Sequence, residues 1–319
     1  MSPSKIADCV LQLSTFFIDQ PNNKTPWEHE WAQIAYTHYY YPLNRFRSDA
    51  IISEAIKRNF FDGLTDFYDF GAGLGSATLA LINSNHQWNK KCLIEISSNA
   101  QSIAQKLFPE LNHVHWQRDI HHHDIKSPQS SLACFSYSLT ELNHLPDWAI
   151  DCEAILIIEP ATEQDGRKLI QLRSELIDKG YTIYAPCTHQ LECPLLVESK
   201  HDWCHHRIIP ELSHELKTIE AHLPMKNHSL TMSYLLARKS PMKTPTAGLT
   251  RIVGDYLVEK GKTRQMICRS PQREFLTIMD RTGIELELKR NQLIQIDSNV
   301  EKKSNEVRIK DLLHVQIIE

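Results

Sequence analysis

The sequence predicts an α/β protein built on a Rossmann-like, largely parallel sheet, and three observations carry that expectation. The stretch from Asp66 to Glu95, DFYDFGAGLGSATLALINSNHQWNKKCLIE, reads as strand, glycine turn, helix and second strand. Glu95 closes that second strand twenty residues past Gly75, where a carboxylate is well placed for a ribose diol. Apolar runs and helical segments then keep alternating to about residue 240, the pattern of a sheet wound with helices.

Each piece of the first unit has its own reason. Phe67, Tyr68 and Phe70 suit a strand buried on both faces. Gly71, Gly73 and Gly75 supply a turn whose backbone can adopt unusual dihedrals and approach a ligand closely. Ser76 to Ile82 is Ala/Leu-rich and starts a helix. Asp69-Phe70-Gly71-Ala72-Gly73-Leu74-Gly75 matches acid-x-Gly-x-Gly-x-Gly in full and resembles the first motif of class I S-adenosylmethionine (SAM) methyltransferases. The dinucleotide pattern fits only if Ser76 replaces its third glycine, and the absent Gly-Lys-Ser/Thr excludes a P-loop. A nicotinamide cofactor and a ligand-free glycine turn are the alternatives.

Length and composition bound the rest. The chain has 319 residues, enough for one large domain and a smaller one. At 41% hydrophobic and 23% charged residues it is globular, without a run long enough to span a membrane. The start lacks the charged and apolar regions of a secretory signal, so the expected address is cytoplasmic. Eight cysteines without such a signal point to thiol, metal or cluster chemistry rather than disulfides. The net charge of −4 is uneven: residues 1–240 hold 21 Lys+Arg against 28 Asp+Glu, and residues 241–319 hold 14 against 11.

Residues 1–62 read as a helical extension. Thr25-Pro26-Trp27-Glu28 resembles a helix start with proline at its first position, and the following aromatic-rich helix is expected to break at Pro42. Residues 63–240 form the SAM-type domain. Its third strand ends at Asp119, where an acid meets adenine in this fold, and His121, His122 and His123 form a solvated loop. The fourth strand runs to Tyr137, the fifth from Ala154 to Glu159, the sixth from Tyr181 to Ala185 and the last from Ser229 to Arg238. The last is expected to enter antiparallel, completing seven strands.

An insertion at 186–228 holds Cys187, Cys193 and Cys204 on the ligand side of the sheet. Thiolates there can bind a soft metal or an iron–sulfur cluster, and the spacing is not the C-x2-C knuckle of common zinc sites. Three buried, unlinked cysteines are the simpler alternative. A Pro186-Cys187 nucleophile like that of cytosine-5 methyltransferases leaves the companion thiols unexplained.

Ile158-Glu159-Pro160-Ala161-Thr162, Ala185-Pro186-Cys187, Cys193-Pro194-Leu195 and Asp202-Trp203-Cys204-His205 together resemble the Rsm-type small-ribosomal-subunit family. Tyr137-Ser138-Leu139-Thr140-Glu141-Leu142 and Leu223-Pro224 with Ser233-Tyr234-Leu235 add to the likeness, which covers roughly residues 35–285. Ala161 replaces a frequent glycine, and the loop between Cys193 and Cys204 is longer than usual. The resemblance implies a 4Fe–4S cluster on four cysteines, the fourth being Cys268; zinc on the same thiols, or on His189, His201, His205 or His206, is the alternative. It also implies a SAM pocket with Asp69, Gly71, Gly73, Gly75, Glu95, Asp119 and Tyr137, and the small ribosomal subunit or its rRNA as partner.

Residues 241–319 read as a small basic β-domain after the linker SPMKTPTAG. Strands are expected at Arg264–Cys268, Glu274–Met279, Ile284–Leu288, Leu293–Ile296 and Leu313–Ile318, with a hairpin turn at Asp280-Arg281-Thr282-Gly283. Arg264, Arg269 and Arg273 near Cys268 suit RNA phosphates or a solvated face. The whole is expected to be a SAM-dependent methyltransferase of class I fold with helical extension, cysteine insertion and β-rich tail, acting on small-subunit rRNA. An assembly factor that binds SAM and RNA without turnover is the rival, and no residue stands out as a general base.

Overall fold

Buried apolar runs build the centre of the chain as strands. A computed structural model describes residues 1–20, 23–142, 144–243 and 248–318, and so leaves part of the 240–248 linker outside the described residues. Contacts divide the chain into two units, Met1–Pro160 with Ile208–Met232 and Ala161–Arg207 with Ser233–Glu319.

In the first unit five parallel strands lie in the order β3-β2-β1-β4-β5. They are β1 (Asp66–Phe70), β2 (Lys90–Ile94), β3 (His115–Gln117), β4 (Ser131–Ser136) and β5 (Ala154–Glu159). Phe67, Tyr68, Leu132 to Phe135 and Ile155 to Ile158 are fully enclosed, as strands covered on both faces require. The order reverses between β1 and its neighbours β2 and β4, so the carboxyl ends of β1 and β4 flank the switch point at which open α/β sheets bind ligands. This is the class I methyltransferase fold. Helices α1 (Pro3–Asp19), α2 (Glu30–Ala35) and α3 (Tyr41–Lys57) precede the sheet, and α4 (Ser76–Ile82), α5 (Ser98–Leu107) and α6 (Asp147–Asp151) follow its strands.

The Ser2 hydroxyl caps α1 by accepting from the Lys5 amide, and the helix turns Ile6, Val10 and Leu13 inward. These join Ala35, Tyr39 and Leu43 in one core cluster. Two expectations for this extension fail. The helix after Trp27 begins at Glu30, with no side-chain cap, because the Trp27 and His29 amides bond back into a turn with Thr25 and Pro26. Pro42 does not break the chain either. A wide π-helical turn, Tyr36–Tyr40, ends as the Tyr41 amide reaches Tyr36, and Pro42 then lies in the first turn of α3, where no amide proton is needed.

The second unit contains α7 (Glu163–Asp178), β6 (Thr182–Ala185) and α8 (Pro194–Val197). Short β7 (His206–Ile208), α9 (His214–Glu220) and β8 (Leu230–Arg238) follow in the chain. β6 pairs antiparallel with β8, as expected of the sixth and last strands.

The tail is a separate sheet ordered β14-β15-β12-β11-β9-β13-β16, with β10 on β11. Its strands are β9 (Leu249–Ile252), β10 (Leu257–Glu259), β11 (Lys262–Cys268), β12 (Glu274–Met279), β13 (Leu293–Ile296), β14 (Glu301–Lys303), β15 (Glu306–Ile309) and β16 (Val315–Ile317). Asp280–Thr282 is a single helical turn and no hairpin, since β12 already has β11 on one side and β15 on the other. Ile284–Leu288 is accordingly no strand; its alternating side chains pack on the tail core instead. The two-residue hairpin is Lys260-Gly261, which brings Glu259 opposite Lys262 and needs Gly261 at φ +80°.

Gly71 is the tightest point of the first unit. It sits at φ +65°, and a Cβ there would lie 2.5 Å from the Ser138 Cβ. Gly71→Ala should therefore destabilise the protein by about 2–4 kcal/mol, left-handed strain and overpacking together. Urea unfolding measures it, and an unchanged midpoint would mean that the turn moves away from Ser138 freely.

Candidate cofactor pocket and cysteine cavity

The first unit contains an open cavity of about 730 Å³ beside the carboxyl ends of β1, β2 and β4. Of the residues expected at a SAM pocket, Gly71, Gly73, Glu95, Asp119 and Tyr137 line it; Asp69 and Gly75 do not. Asp69 is buried behind the turn, where one carboxylate oxygen accepts from the Thr78 amide at 3.2 Å and hydroxyl at 2.6 Å. Burial pushes its carboxyl up to about 6 against the pull of those bonds. Gly75 caps α4 in the left-handed region.

Glu95 ties the turn to the next loop. Its two oxygens accept separately, from the Gly73 amide at 2.9 Å and the Ser97 amide at 2.7 Å. Each oxygen keeps a lone pair for a ligand hydroxyl. Tyr137 follows β4 at φ +59°, an unusual conformation for an aromatic residue, and its buried hydroxyl has no hydrogen-bond partner. Burial also raises that phenol to about 12.

Among the other lining residues are Lys24, Trp27, Tyr36 and Glu141, none of which was expected at the pocket from the sequence. The first three belong to the helical extension, whose sequence carries no signal for these contacts. Burial raises Glu141 to about 7, with Lys24 opposing and Glu95 reinforcing the shift. His121, His122 and His123 are exposed and paired with Asp119, Asp151 and Asp124, a solvated loop as expected.

The second unit holds a smaller space of about 50 Å³. Cys187, Cys193, Cys204 and Cys268 all line it, although the last comes from β11. None is in a disulfide. The Arg173 guanidinium, on α7, donates to the Cys187 sulfur at 3.1 Å and to the carbonyls of His189 and Leu191 at 2.8 and 2.9 Å. The Thr188 hydroxyl donates to the Cys268 carbonyl, and His189 Nε2 stands 3.7 Å from the Cys268 sulfur. Burial pushes the Cys193 and Cys204 thiols up and raises Cys268 to about 12. Among the described residues no three His, Cys, Asp or Glu side chains converge as ligands of a single metal ion.

The three tail arginines near Cys268 are already paired. Arg264 pairs with Glu259 at 2.7 Å and lies over the Phe275 ring. Arg269 grips Glu274 with two bonds, and Arg273 pairs with Asp202 at 2.5 Å. A basic face offered to phosphates is therefore not what these residues form.

The family model described as mitochondrial small ribosomal subunit Rsm22 matches residues 34–287, well over half the chain. The chain belongs to the Rsm22 family. Both the glycine turn and all four cysteines of the cavity fall inside the matched segment. Comparison with curated proteins gives no match. Among solved structures, this Rsm22-family chain is similar to a candidate RNA methyltransferase of Pyrococcus horikoshii, with 10% identity, 62% of this chain and 84% of the other covered, and a TM-score of 0.38. It is also similar to a precorrin-6y C5,15-methyltransferase of Geobacter metallireducens (12%, 58% and 88%, 0.37). A third likeness is to a magnesium protoporphyrin IX methyltransferase of Synechocystis (12%, 62% and 84%, 0.35). No helix among the described residues is long and apolar enough to cross a membrane.

Glu274 gives a test of the arginine pairing. Burial pushes its carboxyl up, but Arg269 and Ser270 hold it below the usual range. Its contribution is thus present above the unfolded carboxylate range and lost as pH falls through the lowered value. Arg269→Ala should lower stability at pH 7 by about 1–3 kcal/mol and flatten that acid limb. The salt dependence of RNA binding should not change; a shallower slope would show that Arg269 meets phosphate instead.

Proposed function

We propose that this protein is a SAM-binding methyltransferase of the small ribosomal subunit or its RNA, working in the cytoplasm and carrying a cysteine-held 4Fe–4S cluster. What carries the SAM reading is one cavity lined by the glycine turn, Glu95, Asp119 and Tyr137. Its volume lies within the range of small-molecule sites. Bound SAM supplies an electrophilic methyl group on a sulfonium. Glu95 takes the ribose hydroxyls while bracing the turn, and Asp119 takes the adenine edge. Trp27 and Tyr36 cover the site and exclude water. Asp69 acts behind the turn, fixing it against α4 through Thr78. The ribosomal part of the reading rests on the family.

The cluster part of the reading rests on the four cysteines that line one space, with zinc as the alternative. A single tetrahedral zinc holds its thiolates at about 2.3 Å, which demands close convergence. Four soft thiols line one space, and thiolates are the ligands that iron–sulfur clusters take. Arg173 adds a hydrogen bond to the Cys187 sulfur, the kind of outer contact that steadies a cluster ligand. The group would supply structural cohesion between the loop after β6 and the β-rich tail, both parts of one unit.

Two measurements test this reading. Glu95→Ala should weaken SAM binding by about 1.5–3 kcal/mol in calorimetric titration, the scale of charge-assisted hydrogen bonds. Unchanged affinity removes Glu95 from the site, and a nicotinamide cofactor bound more tightly than SAM overturns the assignment. Anaerobic purification should give brown protein with about four irons and four sulfides per chain, lost in Cys268→Ser. Colourless protein with about one zinc per chain would replace the cluster with a structural metal site.

A further inference from the structure

The loop after β4 holds more chemistry than cofactor binding uses. The Tyr137 amide donates to the Ile158 carbonyl at 2.7 Å, and the Leu139 amide donates to a Glu159 carboxylate oxygen at 2.9 Å. Ser138 packs against the glycine turn so closely that no side chain fits at Gly71. The loop is thereby held against the turn that carries the cofactor. Tyr137 stays at φ +59° and its buried hydroxyl is unsatisfied, two unfavourable features in one residue. Strain and an orphaned polar group persist at sites where a ligand makes use of them. One helical turn further on, Glu141 reaches the same cavity.

From this geometry, and resting on the SAM reading above, we propose that Glu141 is the general base of methyl transfer and that the Tyr137 hydroxyl holds the acceptor. The acceptor class is a nucleobase nitrogen bearing hydrogen. Trp27, Tyr36 and Phe70 line the cavity, Trp27 and Tyr36 packed on one another, and aromatic walls of this kind suit an unstacked base. The step balances simply. The sulfonium–methyl bond breaks and its electron pair returns to sulfur, leaving a neutral thioether. The nitrogen lone pair forms the new bond to methyl, and the nitrogen's proton passes to the Glu141 carboxylate. A base is most effective when its pKa lies near the working pH, and burial has moved Glu141 there. Lys24 and Glu95 are the charged groups that shift it, and Glu28, Arg118 and Asp119 also line the cavity, with the Tyr36 and Tyr137 phenols.

The test uses the full chain with labelled SAM, protein-free small-subunit rRNA and small-subunit particles as probes, from pH 5.5 to 9. Wild-type transfer should rise with pH through about 7 and then level, because the carboxylate form is the base. Glu141→Gln should bind SAM within about twofold of wild type by calorimetry, yet transfer about 100-fold more slowly or worse, without the limb near pH 7. Tyr137→Phe should lose about tenfold in kcat/KM with the pH profile kept, as for one lost hydrogen bond. Transfer by Glu141→Gln at the wild-type rate overturns the role. So does a tenfold loss of SAM affinity in that variant, which would make Glu141 a partner of the cofactor's ammonium. Wild-type protein that binds SAM but methylates neither probe overturns the base while sparing the cofactor reading. Wild-type protein that does not bind SAM brings down both.

Discussion

The first unit depends on one carboxylate. Glu95 ends β2, accepts from the Gly73 amide with one oxygen and from the Ser97 amide with the other, and so fastens the glycine turn to the start of α5. The turn has left-handed dihedrals at three positions; its Gly71 and Ala72 amides reach the Ile94 carbonyl, and the Gly73 amide takes its acceptor from the Glu95 side chain. Asp69 provides the matching hold from behind, on Thr78. Two acids of neighbouring strand segments therefore play opposite parts: one faces the cavity, and the other is enclosed and acts on α4 through the amide and hydroxyl of Thr78. The pattern acid-x-Gly-x-Gly-x-Gly conceals that difference, because it records residue type and not direction.

Electrostatics divides the second unit in a similar way. The sequence of the tail has an excess of cations, but Arg264, Arg269 and Arg273 each have an acid within pairing distance. Partners such as Glu274 and Asp202 lie five residues away in one case and seventy-one in another. Formal charge in a window is thus a poor guide to the field that a fold presents. Arg173 is the instructive exception, a buried guanidinium whose acceptors are one sulfur and two carbonyls of the cysteine loop. Enclosing a guanidinium requires that its donors be satisfied, and here they organise the loop that carries Cys187.

Much of the architecture was legible in the residues alone. β1 and β5 occur where their apolar runs lie, and α4 starts where the Ala/Leu-rich segment starts, because such signals are local and buried parallel strands leave little choice. The reading failed where the deciding partner is remote. Ile284–Leu288 has the alternation of a strand, but the neighbouring positions of β12 are filled by β11 and β15, so its side chains are buried without a ladder. Thr25-Pro26 has the composition of a helix start, and a backbone turn takes its place.

What the sequence determined by itself was the parallel sheet, the glycine turn with its acid twenty residues on, and the residue types of both cavities. Only the tertiary structure decided which acids face the cavity, that Cys268 lines the same space as Cys187, Cys193 and Cys204, and that the tail arginines are spent on neighbours. Secondary structure follows from short-range sterics and hydrophobic period, which a chain carries in every window. Side-chain direction, burial and ion pairing follow from which distant segments meet, and no window contains that.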